Sequence, residues 1–301
     1  MVSMSTSLAS TAVQQRVIRG IPARIEQALE FAFRTSATSP DAPPRLVKAQ
    51  HYALFPGGGR LRPQLCLVAS IASGDRRPAV ADAAAAAVEL LHCGSLVHDD
   101  LPCFDDADTR RGKPSVHRVF GEPLALLVGD AFIVHAFDVL ARAAATAPHE
   151  LLELLPTLAS AAGATKGILA GQAWESEPST PLDEYHRAKT ASLFEGAAAM
   201  GAIAAGVSPK PWRQFGEALG RAYQAADDLH DAIGDADKMG KPTGRDARFG
   251  RPNIVATVGE DAARARLASW LHAAYQAIPS CDDEATVKAW VDLFAARVES
   301  L

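Results

Sequence analysis

Twice along this chain a stretch patterned as a buried helix runs straight into a cluster of aspartates, and that conflict limits what the chain can fold into. The first stretch extends from Glu89 to His117. Leu90, Leu91, Val97 and Leu101 recur at near-helical spacing, and Asp99, Asp100, Asp105, Asp106 and Asp108 follow. The second reads Y-Q-A-A-D-D-L-H-D and carries Asp227, Asp228 and Asp231. Asp227 and Asp231 are four apart, so their carboxylates share one helix face at about 6 Å. Two like charges about 5 Å apart repel by roughly 3 kcal/mol at an effective dielectric of 20, and a helix C-terminus adds to the penalty. A solvated acidic surface accounts poorly for a patch fed by an apolar helix. A divalent cation accounts for it better. Clustered aspartates are hard oxygen ligands suited to Mg2+, which combines one or two carboxylates with phosphate oxygens.

Asp99 and Asp105 are six apart, which puts them on different faces of a regular helix. Pro102 between them removes a helical hydrogen bond and permits a bulge that returns Asp105 toward Asp99. Cations flank both clusters. Arg110 and Arg111 follow the first, Lys241 and Arg245 the second, and Gly57-Gly58-Gly59-Arg60-Leu61-Arg62 lies between two predicted helices. Glycine lets backbone approach a ligand closely, and arginine suits phosphate as a bidentate partner. Taken singly, each arginine reads more readily as a solvated surface charge. Lys189-Thr190 and Gly171-Gln172 with Glu175 are equally ambiguous alone. Facing each other across a bundle, the two clusters would hold a few Mg2+ ions around a multidentate anion, and a diphosphate fits that description.

The remaining sequence favours such a bundle. Alanine is abundant and aromatics are 6% of the 301 residues, which suits helices packed closely through small side chains. Helices are predicted over 21–33, 46–54, 62–72, 80–100, 124–145, 150–169, 182–207, 212–233, 261–278 and 284–298, after a loose tail to about residue 18. The segment G-D-A-D-K-M-G-K-P-T-G-R-D is predicted as a loop. No strand, tandem repeat or long linker stands out, so the expected architecture is one all-α domain over 1–301. A net charge of −5 gives no reason to expect nucleic acid as a partner. The longest uncharged internal run, 196–209, is too short to span a bilayer, and no signal peptide is read at the N-terminus. Cys66, Cys93, Cys103 and Cys281 lack metal-site spacing and read as reduced thiols of a cytoplasmic protein.

Together these residues resemble the trans-isoprenyl diphosphate synthases, the farnesyl and geranylgeranyl diphosphate synthase family, over essentially residues 46–256. D-D-L-P-C-F-D followed by D-T-R-R-G-K-P is similar to the family's first aspartate-rich motif, with two extra residues. D-D-L-H-D followed by G-K-P-T-G-R-D is similar to the second. G-Q-x-x-E at Gly171–Glu175 and the Lys189-Thr190 pair also match. The resemblance implies an antiparallel helical bundle, usually a homodimer, that condenses isopentenyl diphosphate with dimethylallyl, geranyl or farnesyl diphosphate. By the same resemblance Asp99, Asp105 and Asp227 would be direct Mg2+ ligands, with Asp228 and Asp231 close by. Arg110, Lys189, Thr190, Gln224 and Lys241 would hold the allylic diphosphate, and Arg62, His92 and Arg111 isopentenyl diphosphate.

Three departures from the family pattern carry expectations of their own. Gly59 stands where the family has lysine, and Arg60 is expected to substitute for it. Ala226 replaces a glutamine before the second motif, and Arg251 stands where lysine is common. Gly94 and Ser95, five and four residues before Asp99, are small where the family's farnesyl-producing members have an aromatic floor, which implies geranylgeranyl diphosphate as product; close helix packing is the lesser alternative. Rival readings are a farnesyl diphosphate synthase, a terpene cyclase, a non-catalytic partner subunit, and an HD-type phosphohydrolase. The last would use His98-Asp99 and His230-Asp231, with His51 or His92.

Overall fold

The apolar runs form helices that pack against the helix ending in the first aspartate cluster. A computed structural model describes residues 2–55, 57–143, 147–233 and 251–300. Helix α3 (Leu61–Ala72) is almost wholly enclosed, with Leu65, Cys66, Leu67, Val68 and Ala69 inaccessible, and Pro63 sits in its first turn, where a missing N–H costs nothing. It lies beside α4 (Pro78–Asp99), whose alanine run at 83–87 keeps neighbouring axes close. Helix α6 (Glu122–Ala143) covers one side of α4, meeting it at Gly94. A side-chain carbon on Gly94 would lie 3.1 Å from the Gly129 carbonyl and 3.2 Å from Phe132. The small residue there is a packing residue.

The opposite side is closed by α10 (Ser192–Ala204), with α11 (Pro209–Ile233) outside it and α13 (Glu260–Gln276) outside α11. Helix α1 (Val2–Ser36) and α14 (Glu284–Ser300) flank α3. Smaller helices complete the described chain: α2 (Pro44–Leu54), α5 (Val116–Phe120), α7 (Pro148–Ala162), α8 (Ile168–Ala173), α9 (Leu182–His186) and α12 (Ile254–Val258). One apolar cluster runs from Ile18 to Val298, with Trp212, Trp290, Phe132, Phe194, Phe215 and Phe294 its largest enclosed side chains. Truncating such a ring to alanine costs about 3–5 kcal/mol.

The fold is all-α, and besides the short helices α5 and α12, which the periodicity does not mark, four details depart from the predicted elements. The first helix begins at Val2 instead of near residue 21; no proline or glycine interrupts the chain before Gly20. The predicted 150–169 helix stops at Ala162, because Gly163 and Gly167 adopt extended backbone. The predicted 182–207 helix contains a π-helical turn at Arg187–Ala191. A minimal hairpin, β1 (Thr109–Arg110) against β2 (Lys113–Pro114), turns through Arg111 and Gly112, both at positive φ. Helices α4 and α6 are also long and apolar enough to cross a membrane by length and composition. Isolated carboxylates interrupt both, so a search for uncharged runs passes over them. Helix α4 is enclosed by the bundle, whereas α6 leaves Leu126, Leu127 and Val134 exposed on its outer side.

Candidate active site

The end of α4 sets the geometry. The chain leaves the helix at Asp100, and the N–H of Asp105 donates to the Asp99 carbonyl at 2.9 Å, so the expected bulge brings the two aspartates together. Asp99 Oδ1 is buried and has no hydrogen-bond partner. Burial raises its carboxyl above the ordinary value, Lys189 opposes that shift, and Asp105 reinforces it. Asp100 plays a different part. It accepts from Arg110 Nε at 2.9 Å and Nη2 at 2.5 Å, and so pins that arginine from the hairpin over the cluster.

Lys189 and Thr190 lie on the π-helical turn, a distortion frequent at functional sites. Gly171 makes room for it: a side-chain carbon there would fall 2.3 Å from the Lys189 Cα. Glu175, one turn further on, gathers the local donors. It pairs with Lys189, accepts from Tyr185 Oη at 2.8 Å and Gln172 Nε2 at 3.0 Å, and meets Arg251 Nε at 2.9 Å. Arg251 also pairs with Asp105. The sequence leaves Glu175 between packing and function, and marks Arg251 only for its changed geometry; the signals available are the Gly171-Gln172-x-x-Glu175 spacing for the first and Gly250-Arg251-Pro252-Asn253 for the second.

On α11, Asp227 is half-buried and its charge acts on Arg62. Asp228 is enclosed and already engaged. Its Oδ1 accepts from Gln224 Nε2 at 2.6 Å and its Oδ2 from the Ile254 N–H at 2.7 Å, while His186 Nε2 stands 3.2 Å away without hydrogen-bonding alignment. Gln224 accepts in turn from Thr190, so a relay runs from Thr190 through Gln224 and Asp228 to the start of α12. Because Arg251 reaches Asp105 while Ile254 holds Asp228, residues 251–254 tie the two acidic clusters together. Asp231 is half-buried at the end of α11. Lys241 and Arg245 lie outside the described residues.

A second cationic group forms above α3. Arg62 is buried, stands 3.3 Å from His92 Nε2 and lies over the Phe194 ring at 4.6 Å. Burial, then the nearby Arg62 and Arg111, pushes the His92 imidazole well below its ordinary value, so it is neutral. Arg111, from the hairpin turn, reaches to 4.0 Å from the buried Glu89. Arg60 does not substitute for a lysine at position 59. Its guanidinium turns inward to Glu89 at 2.7 Å, Glu26 at 2.9 Å and the Leu54 carbonyl at 2.8 Å, because a buried guanidinium must find acceptors.

An HD-type site is not assembled. The His98 ring faces α6, 3.0 Å from the Leu126 carbonyl, and His51 packs among Phe33 and Phe55. Among the described residues no three His, Cys, Asp or Glu side chains converge on one metal position, because Arg251 and Arg110 draw the Asp105 carboxylate. The orphaned Asp99 oxygen beside Asp105, both hard carboxylate donors, nevertheless fits a Mg2+ site.

A helical bundle with two aspartate-bearing helix ends held beside Arg110, Arg251 and Lys189 has the charges that suit a multiply charged anion together with divalent cations. Residues 43–293 match the model of the polyprenyl synthetase family, and the chain belongs to that family. It is 52% identical over 275 residues to a geranylgeranyl diphosphate synthase of Cereibacter sphaeroides, covering 91% of this chain and 95% of that one. It is 35% identical to a farnesyl diphosphate synthase of Geobacillus stearothermophilus, covering 90% and 95%. A solved geranyltransferase structure from Legionella pneumophila superposes with a TM-score of 0.80 at 28% identity, over 96% of this chain and 99% of that one.

Proposed function

We propose that this chain is a short-chain trans-prenyltransferase that condenses isopentenyl diphosphate with an allylic diphosphate in the presence of Mg2+, with geranylgeranyl diphosphate as its main product. The observation that carries the reading is the convergence of Asp99 and Asp105 with Lys189, Arg110 and Arg251 at the end of α4. The 52% identity to a geranylgeranyl diphosphate synthase supports the product.

Asp99, Asp105 and Asp227 would hold Mg2+, which when bound neutralises the diphosphate leaving group. Asp231 would act nearby. Asp228, with both oxygens engaged, positions Gln224 and α12. As the allylic carbon–oxygen bond breaks, negative charge grows on the diphosphate. Lys189 and Arg110, held by Glu175 and Asp100, stand where they can meet it. Thr190 and Gln224 orient the same group, and Lys241 is assigned there by its motif. Arg62, His92 and Arg111 form the isopentenyl diphosphate side, where a neutral His92 can donate one N–H to an anion. The isopentenyl double bond attacks the carbocation, and the released diphosphate takes the proton, so no enzyme nucleophile is required.

The exposed apolar side of α6 suits a homodimer contact, the four free thiols suit a reducing cytoplasm, and the chain is taken as a single functional domain. The test is to incubate the purified chain with Mg2+, isopentenyl diphosphate and dimethylallyl, geranyl or farnesyl diphosphate in turn, and to identify the products. Consumption of all three with geranylgeranyl diphosphate accumulating is expected. No turnover by the chain alone, or growth that ends at farnesyl diphosphate, sinks the corresponding half of the reading.

A further inference from the structure

Two arginines in left-handed backbone, far apart in sequence, reach the same buried carboxylate. Arg60, at φ 50°, ends the glycine run and starts α3; Arg111, at φ 55°, turns the hairpin. Arg60 Nη1 donates to Glu89 Oε1 at 2.7 Å, and Arg111 Nη2 comes to 4.0 Å from the same oxygen. Positive φ is disfavoured for any residue with a side chain and persists where the surroundings over-determine it. At both turns the surroundings include one charge on α4.

The two turns are also joined at the end of α2. Arg60 Nη2 donates to the Leu54 carbonyl at 2.8 Å, and Lys113 Nζ, from the hairpin, to the Phe55 carbonyl at 3.0 Å. A side-chain carbon on Gly57 would fall 1.9 Å from Arg60 Cζ, and one on Gly58 2.6 Å from Arg111 Nε, so the glycine run lies against both guanidiniums. The arginines differ in access. The Arg60 side chain is 5% exposed and that of Arg111 25%. Arg111 lines one cleft together with Arg110, Lys113 and Cys93.

Glu89 lies where these contacts meet. Its side chain is 1% exposed, and Glu89, His92 and Cys93 share a face of α4 by their i, i+3, i+4 spacing. Burial, then Glu89, pushes the Cys93 thiol up to about 12, so it stays protonated and donates to Glu89 Oε1 at 3.6 Å. Glu89 Oε2 is buried with no hydrogen-bond partner. An enclosed carboxylate with an unused oxygen is costly, and Glu89 takes no part in the steps proposed above.

We propose that Glu89 is a positioning residue for isopentenyl diphosphate: its charge holds the Arg111 guanidinium against the bare glycine run, open to a phosphate group, and fixes that run through Arg60. The proposal rests on the function proposed above, in which Arg111 meets isopentenyl diphosphate. The two arginines divide the work. Arg60 uses its donors on Glu89, Glu26 and the Leu54 carbonyl. Arg111, at 4.0 Å, is attracted to Glu89 without a full hydrogen bond, which leaves donors for an anion. The Glu89 charge also reaches the buried Arg62, so it offsets repulsion among three guanidiniums.

Steady-state kinetics on the full chain with Mg2+ test this. Glu89→Gln keeps the shape of the side chain and removes its charge. KM for isopentenyl diphosphate should rise about tenfold, the worth of one charge-assisted contact, while KM for the allylic diphosphate and kcat at saturation stay near those of the parent chain. Tm should fall, because Arg60 loses its buried partner. Arg111→Gln should raise the same KM, and the double variant should be no worse than Arg111→Gln, since Glu89 acts through that arginine. Glu26→Gln removes the other, exposed partner of Arg60 and should leave KM unchanged; a rise equal to that of Glu89→Gln would assign the effect to Arg60 and overturn the proposal. A lowered Tm with parental KM in Glu89→Gln overturns it as well, as does a joint rise of both KM values, or a double variant whose effects on KM multiply. If Glu89→Gln does not fold, Glu89→Asp replaces it, keeping the charge but withdrawing it by one methylene. A rise in KM for isopentenyl diphosphate alone is expected there, and parental values overturn the proposal. If the parent chain incorporates no isopentenyl diphosphate, the proposed function falls instead. Calorimetric titration of parent and variant with isopentenyl diphosphate then decides: weaker binding by the variant supports the positioning role, and equal affinity, or no binding by either, overturns it.

Discussion

The N–H of Asp105 donates to the carbonyl of Asp99 across six residues, at 2.9 Å. That bond converts two aspartates from opposite helix faces into one acidic pair. It also leaves Asp99 Oδ1 buried without a donor. A buried carboxylate without a partner weakens the metal-free fold and has a purpose only when cations arrive.

Replacing Asp99 by alanine should therefore lower turnover roughly a thousandfold or more, since a lost metal ligand removes several kcal/mol of transition-state stabilisation. The metal-free melting temperature should hold or rise. Steady-state rates in Mg2+ and thermal melts check both, and near-parental turnover would falsify the ligand role.

Asp227 and Asp228 are neighbours in sequence with different expected phenotypes. Asp228→Ala strips the Ile254 N–H and the Gln224 amide of their acceptor. Each buried donor left unpaired costs about 1–3 kcal/mol, so this variant should melt distinctly lower. Asp227→Ala should lose turnover with little change in melting. Similar melting curves for the two variants would remove that distinction.

Gly171→Ala places a carbon 2.3 Å from the Lys189 Cα. The π-helical turn must shift, at a cost of about 1–3 kcal/mol. Lys189 moves with it, so kcat should fall even where the variant remains folded. A variant with parental kcat and Tm would show that the close approach is not required.

His92 gives a pH signature. Its imidazole is held well below its ordinary value in the folded chain, first by burial and then by Arg62. The unfolded chain takes up that proton near the ordinary histidine value of about 6.5, and the folded chain does not. This contribution to stability is complete above that pH and is lost as pH falls toward the depressed folded value. Between about pH 6.5 and 5, Tm of the parent chain should fall more steeply than that of His92→Gln. Parallel slopes would mean that His92 is not held neutral.

Product length can be tested at Ser95. Gly94 faces the Gly129 carbonyl and Phe132, so Gly94→Tyr should fail to fold instead of shortening the product. Ser95 is half-buried on the next position of α4. Ser95→Phe should shift the product from geranylgeranyl toward farnesyl diphosphate without altering Mg2+ dependence, as read by chromatography of the products. An unchanged product would move the floor to a ring on another helix, with Phe132 beside Gly94 the first to examine.

Much was legible in the chain itself because it depends on local rules. The 3.6-residue apolar period marks most of the helices, Pro102 marks the bulge, and the spacing of Asp227 and Asp231 places both on one face. The family, and with it the class of chemistry, follows from motifs whose parts lie within a few residues of one another. What required tertiary structure was every pairing made across long separations. Arg60 and Arg297 are indistinguishable as sequence, yet one turns inward to Glu89 and the other lies over Gly59, 238 residues away by number. Asp227 and Asp228 likewise differ only in which side of α11 meets α12. Pattern and propensity determine which face of an element is apolar. Which acceptor a buried charge finds depends on elements that only the packed bundle brings together, and that choice decides which cations are held in structural ion pairs.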